Sequence, residues 1–97
     1  MIRHVVIIRW TPEATDEAKQ RVAAELSRLP ALIPSLRDYR IGTDLGLNPA
    51  NFDFAVAADF DDADGYLAYR DHPEHRAIVT KFIQPISGER FAVQYEC

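Results

Sequence analysis

The chain has 97 residues, 47% of them hydrophobic, and a formal net charge of −4 at pH 7. That length suits one modest domain, and that hydrophobic share is enough for a packed core, which excludes a disordered chain. An acidic balance without any block of Lys and Arg argues against nucleic acid as a partner.

The opening stretch "MIRHVVIIRW" holds an apolar run closed by Arg9, too short for a signal peptide or for a membrane span of about 20 residues. With Cys97 as the only cysteine, no intrachain disulfide forms, and the chain reads as cytoplasmic. Residues 2–10 are apolar on both alternating sets. His4, Val6, Ile8 and Trp10 form one face, and Val5 and Ile7 form the other, which predicts a strand covered on both sides.

A helix is expected next, through "TPEATDEAKQRVAAELSRLP". Its acids come early, and Ala18, Val22, Leu26 and Leu29 lie on one stripe, with Pro30 and Pro34 ending it. Residues 36–44 alternate as a second strand, and "LGLNPAN" is a turn by composition. Residues 52–60 form a third strand with Phe54, Val56, Ala58 and Phe60 on one face and Ala55 and Ala57 on the other. The small face suits close approach of a helix, leaving the bulkier face to be covered by something else. A short helix capped by Asp61 or Asp62 follows, Pro73 opens another through Phe82, and residues 89–96 close as a fourth strand.

The order β-α-β-β-α-β predicts a ferredoxin-like α+β domain, an antiparallel four-stranded sheet with helices on one face. An open face rich in Val, Ile, Phe and Trp is a large apolar patch. The expectation is therefore a homodimer packed through its sheet faces, with a partly enclosed cavity between them.

Chemistry concentrates in "AYRDHPEHRAIV", residues 68–79. His72 and His75 are three apart, but "HPEH" lacks the H-E-x-x-H spacing of a helical zinc site, and no cysteine supports one, so no metal is expected. In the bland reading His72 merely precedes a Pro-started helix, with Glu74 favourable at its N-terminus. In the sharper reading, His75 is a general base and Tyr69 donates to a developing oxyanion, which enolises a C–H between two carbonyls without a cofactor. His4 is a second polar group on the face assigned to the cavity, and a structural hydrogen bond also explains it.

"MIRHVVIIRW", "LIPSLRDYRIGTD" and "FDFAVAADFDDADGYLAYRDHPEH", together with the closing strand, resemble the stress-responsive A/B barrel (Dabb) family over residues 1–97, read as a single such domain. The resemblance implies a dimeric α+β barrel. Some plant members have no established reaction, and a plant polyketide cyclase of the family performs a cofactor-free aldol cyclisation. Carried over by motif, its base falls on His75, the assisting tyrosine on Tyr69, and a strand histidine on His4. Two departures change the cavity: Phe54 stands where the cyclase has a further histidine, and Gln94 where it has an aspartate, which leaves His75 without an orienting carboxylate.

The site expected from residues and resemblance together is His75 and Tyr69 as catalytic groups, with His4, Val6, Ile8, Trp10, Phe54, Val56, His72 and Gln94 around a small apolar or polyketide-like ligand. The competing expectation is a non-catalytic stress-related binding or structural dimer whose cavity is filled by Trp10, Phe54 and Phe60. A further alternative is a metal- or haem-dependent oxygenase of the same superfamily.

Overall fold

Successive side chains of β1 (Ile2–Trp10) alternate between two faces, and its β-branched Val and Ile residues favour the pleated backbone. In the computed structural model, which describes residues 1–97, β1 lies at the centre of the sheet between β3 (Phe54–Phe60) and β4 (Ser87–Glu96). The remaining strand, β2 (Asp38–Thr43), pairs with β3, so the order is β2-β3-β1-β4 with every pair antiparallel.

Four helices connect these strands. Helix α1 (Asp16–Leu26) begins where the Thr15 hydroxyl accepts the Ala18 N–H at 3.1 Å, and α3 (Ala63–Asp71) where Asp62 accepts from Gly65 at 2.9 Å. Helix α2 (Leu29–Leu32) is a single turn, and α4 (Pro73–Ile78) continues through a π-helical turn, Val79–Ile83, and a 3₁₀ turn, Gln84–Ile86. No helix is long and apolar enough to cross a membrane. Strands and helices together form the ferredoxin-like α+β fold, with its helices on one face of the sheet.

Two local expectations are corrected. The first helix stops at Leu26, and Pro30 lies in the first turn of α2 instead of ending α1. Proline is tolerated there because a first-turn N–H has no intrahelical acceptor. Val22, Leu26 and Leu29 still reach the core.

The second correction concerns which face the helices take. Phe54, Val56, Ala58 and Phe60 are buried on the helix side, whereas Ala55 is exposed on the other face. Large side chains are needed here to fill the depth between sheet and helices, and Phe60 is fully buried against Tyr66 and Tyr69. Ala55 and Ala57 therefore belong to the open face, beside Ile7 and Val5.

Candidate functional site

Register brings the polar groups into one row. On the helix side of the sheet, Tyr39 of β2 is level with Ala58 of β3, Ala58 with His4 of β1, and His4 with Gln94 of β4. The next row carries Ile41, Val56, Val6 and Ala92, and the one beyond it Thr43, Phe54, Ile8 and Arg90. Above the β1 and β4 part of these rows stand α3, α4 and the π-helical turn, and between the layers lies a cavity of about 240 Å³. Its floor includes His4, Val6, Ile8 and Val56; its roof includes Tyr66, Tyr69, His75 and Ile83. The cavity therefore sits between sheet and helices of one chain.

His75 enters this space from the first turn of α4. Its Nδ1 lies 3.1 Å from the main-chain oxygen of Arg70. A carbonyl oxygen only accepts, so Nδ1 carries the proton and Nε2 keeps its lone pair. Burial is the main cause that lowers the His75 pKa from its ordinary value, with the charge of Arg90 acting in the same direction against the raising effect of the Arg70 carbonyl. The imidazole is thus neutral at pH 7 and holds a free basic nitrogen.

His4 is buried, and burial pushes its pKa down to about 4, with the neighbouring His75 adding to the effect. Its Nδ1 lies 2.8 Å from Nε2 of Gln94. With the amide nitrogen donating, Nδ1 accepts and the neutral ring carries its proton on Nε2. The Tyr66 ring packs 4.9 Å from the imidazole centroid to centroid.

Tyr69 is buried, its ring 4.2 Å from that of His75. Its hydroxyl is 3.2 Å from the Tyr39 hydroxyl, a pairing that sequence reasoning missed. Burial raises the Tyr69 pKa well above the ordinary phenol range and pushes Tyr39 up to about 12, so both stay protonated at neutral pH. Two hydroxyls share one hydrogen bond, which leaves one O–H of the pair free to donate elsewhere. The signal available in the sequence was the alternation of Tyr39 and Ile41 in β2, which puts Tyr39 on the helix side.

The remaining expected site residues separate clearly. Val6, Ile8 and Val56 line the cavity, while Trp10 and Phe54 do not: they pack on each other in the core with ring centroids 5.6 Å apart. They fill the core beside the cavity and leave the cavity open, contrary to the expectation of a space closed by Trp10, Phe54 and Phe60. His72 also lies outside the lining, because its Nδ1 accepts the Glu74 N–H at 3.1 Å and caps α4. Gln94 acts on His4 and makes no bond to His75. Leu26, Val79, Arg90, Phe91 and Ala92 complete the lining and were not singled out beforehand. No three His, Cys, Asp or Glu side chains converge to hold a metal ion.

Sheet order and helix placement define a ferredoxin-like protein with a cavity under its helices. Residues 2–97 match the Stress responsive A/B Barrel Domain, Dabb, and the chain belongs to that family. It is similar to an uncharacterized protein of Streptomyces coelicolor, 32% identical over 80 residues that span 79% of this chain and 81% of that one. The crystal structure of a dimeric ferredoxin-like protein of unknown function from Thermobifida fusca is 47% identical, with a TM-score of 0.92 over 99% of this chain and 90% of that one. The hydroxynitrile lyase of Passiflora edulis shares the fold at 21% identity, with a TM-score of 0.84 over 97% of this chain and 90% of that one.

Proposed function

We propose that this protein binds a small carbonyl compound in the cavity and transforms it by cofactor-free acid–base chemistry of the polyketide cyclase or isomerase type. The observation that carries this reading is the bond from His75 to the Arg70 carbonyl, which leaves Nε2 unprotonated on a ring that lines an apolar cavity. His75 takes a proton from a carbon flanked by carbonyls, and the electron pair moves onto the carbonyl oxygen. Tyr69, receiving a hydrogen bond from Tyr39, directs its own O–H to that oxygen, and the Nε2–H of neutral His4 is a second donor.

The test is a screen of 1,3-dicarbonyl compounds and linear polyketide thioesters for turnover, repeated with His75→Gln. Loss of turnover of about a hundredfold or more, with the thermal midpoint kept, supports the reading. Undiminished turnover in the variant removes His75 from the reaction.

Cavity size favours a second reading. About 240 Å³ falls below the roughly 300 Å³ at which ordinary ligand pockets begin, which suits a binding or structural protein that takes at most a small molecule. A cavity that takes up neither diketone nor thioester by calorimetry supports this second reading.

The same proposal makes the chain a homodimer joined through its open sheet face. There Ile7 is 37% exposed, Phe91 58%, Val93 55% and Tyr95 46%. Ile7 lies level with Ala55 on one side and Phe91 on the other, so the patch is continuous across three strands and suits a second sheet. The relative from Thermobifida fusca is described as dimeric. Sedimentation of the purified protein at twice the chain mass is the expected result, and a monomer at micromolar concentration contradicts it.

A further inference from the structure

Arg90 is the one permanently charged side chain in the cavity lining, and the lining contains no carboxylate. It stands on β4 level with Ile8, at the exposed edge of the cavity. Eight of the eleven Lys and Arg side chains form ion pairs with a carboxylate, whereas Arg90 forms none. Its neighbour Glu89 is engaged instead by Arg9 at 3.5 Å. The backbone beside it is irregular: Ile8 is level with Arg90 but Trp10 with Ser87, so β4 carries one extra residue between these pairs. Bulges of this kind re-aim neighbouring side chains and recur beside binding sites.

A guanidinium with no acid partner, at the rim of an apolar space in a chain of net charge −4, is a place for an anion. Its planar fork matches a carboxylate with two parallel N–H···O bonds. We infer that Arg90 is the counter-ion of a ligand carboxylate, so the cavity takes a small keto acid whose apolar body lies on Val6, Ile8 and Val56. The inference rests on the reading of the cavity as a carbonyl-compound site, and it narrows the ligand class from neutral diketones to carboxylate-bearing ones. Anchoring the carboxylate at the rim leaves the ketone end to face His75 and Tyr69 deeper in. The charge of Arg90 already reaches His75, where it opposes protonation of the imidazole.

The probes are 2,4-dioxopentanoate and its methyl ester, which differ at one end in charge and by one methyl group. Each is titrated into the wild type, Arg90→Gln and Arg90→Lys, following the ring resonances of His4 and His75 by NMR. In the wild type the acid binds about tenfold more tightly than the ester, and salt reduces that preference. Arg90→Gln abolishes the preference and leaves ester binding and the thermal midpoint unchanged, while Arg90→Lys retains part of it. Equal binding of acid and ester to the wild type, or equal weakening of both by Arg90→Gln, overturns the Arg90 assignment and leaves the carbonyl-site reading standing. An Arg90-dependent preference in a protein whose His75→Gln variant keeps full turnover preserves the carboxylate subsite and overturns the acid–base reading. If neither probe perturbs His4 or His75 at millimolar concentration, both are overturned.

Discussion

Nδ1 of His75 lies 3.1 Å from the main-chain oxygen of Arg70, five residues earlier across the break between α3 and α4. This contact assigns the orienting role to the backbone. Resemblance to a polyketide cyclase left His75 without its carboxylate, because Gln94 stands in that place. Instead, Gln94 holds His4, and the carbonyl of Arg70 holds His75. His72 makes this possible: as the extended residue before Pro73, it ends one helix and caps the next, which turns the first face of α4 back toward the last turn of α3.

The pH dependence of turnover follows from His75. Its folded pKa is lowered, chiefly by burial, so the base is neutral throughout the range above its ordinary value of 6.5. The profile of kcat/KM is expected to be flat there and to fall as pH drops through the lowered pKa. Arg90→Gln removes one of the lowering charges and moves that acid limb upward. A limb that stays in place in the variant shows that the Arg90 charge does not reach the imidazole.

Acid stability tests His4. Its pKa falls from 6.5 in the unfolded chain to about 4 in the fold, so the unfolded chain binds the proton first. The contribution of neutral His4 is fully present above pH 6.5 and is lost as pH falls from there through about 4. The integrated effect is on the order of 3 kcal/mol at this buried site. Chemical denaturation from pH 7 to pH 4, with His4→Gln as control, is expected to show a steeper loss in the wild type. Parallel curves contradict the assignment.

The Tyr39–Tyr69 hydroxyl pair predicts a coupling. Tyr39→Phe removes one partner of a buried bond and is expected to cost about 1 kcal/mol of stability and to lower turnover, although Tyr39 does not line the cavity. In a background of Tyr69→Phe the same change has little further effect on turnover. Additive losses in the double variant show that the two hydroxyls act independently.

Val93→Glu tests the dimer. Val93 is 55% exposed in one chain, on the open sheet face beside Val5 of the inner strand β1. A carboxylate there meets an apolar partner surface and dissociates the assembly without unfolding the chain, which sedimentation and circular dichroism read together. An intact dimer places the interface elsewhere.

The four strands and their order were legible because each strand carries its own alternation and each turn its own breaker residues. The side of the sheet taken by the helices was not. Ala55 and Ala57 argued for close helix contact, but the two-layer core needs depth, and Phe54 and Phe60 supply it. A strand pattern states which residues share a face, and only the packing of the helices settles which face is inner. At the site, His4 stood out as a titratable group in an apolar strand, and His75 and Tyr69 stood out through the spacing in "AYRDHPEH" and the family resemblance. Tyr39, from a strand distant in sequence, comes to Tyr69 only through the β2–β3 pairing, and Arg90 looked like any other strand-edge arginine until the lining around it was seen to hold no acid.

The most direct test of the central claim is a two-bond ¹⁵N–¹H NMR spectrum of the histidine rings at pH 7, with His75→Gln for assignment. A neutral His75 with its proton on Nδ1 and an unprotonated Nε2 is the predicted result. A proton on Nε2, or a charged ring at that pH, contradicts the account, because the cavity then contains no free base.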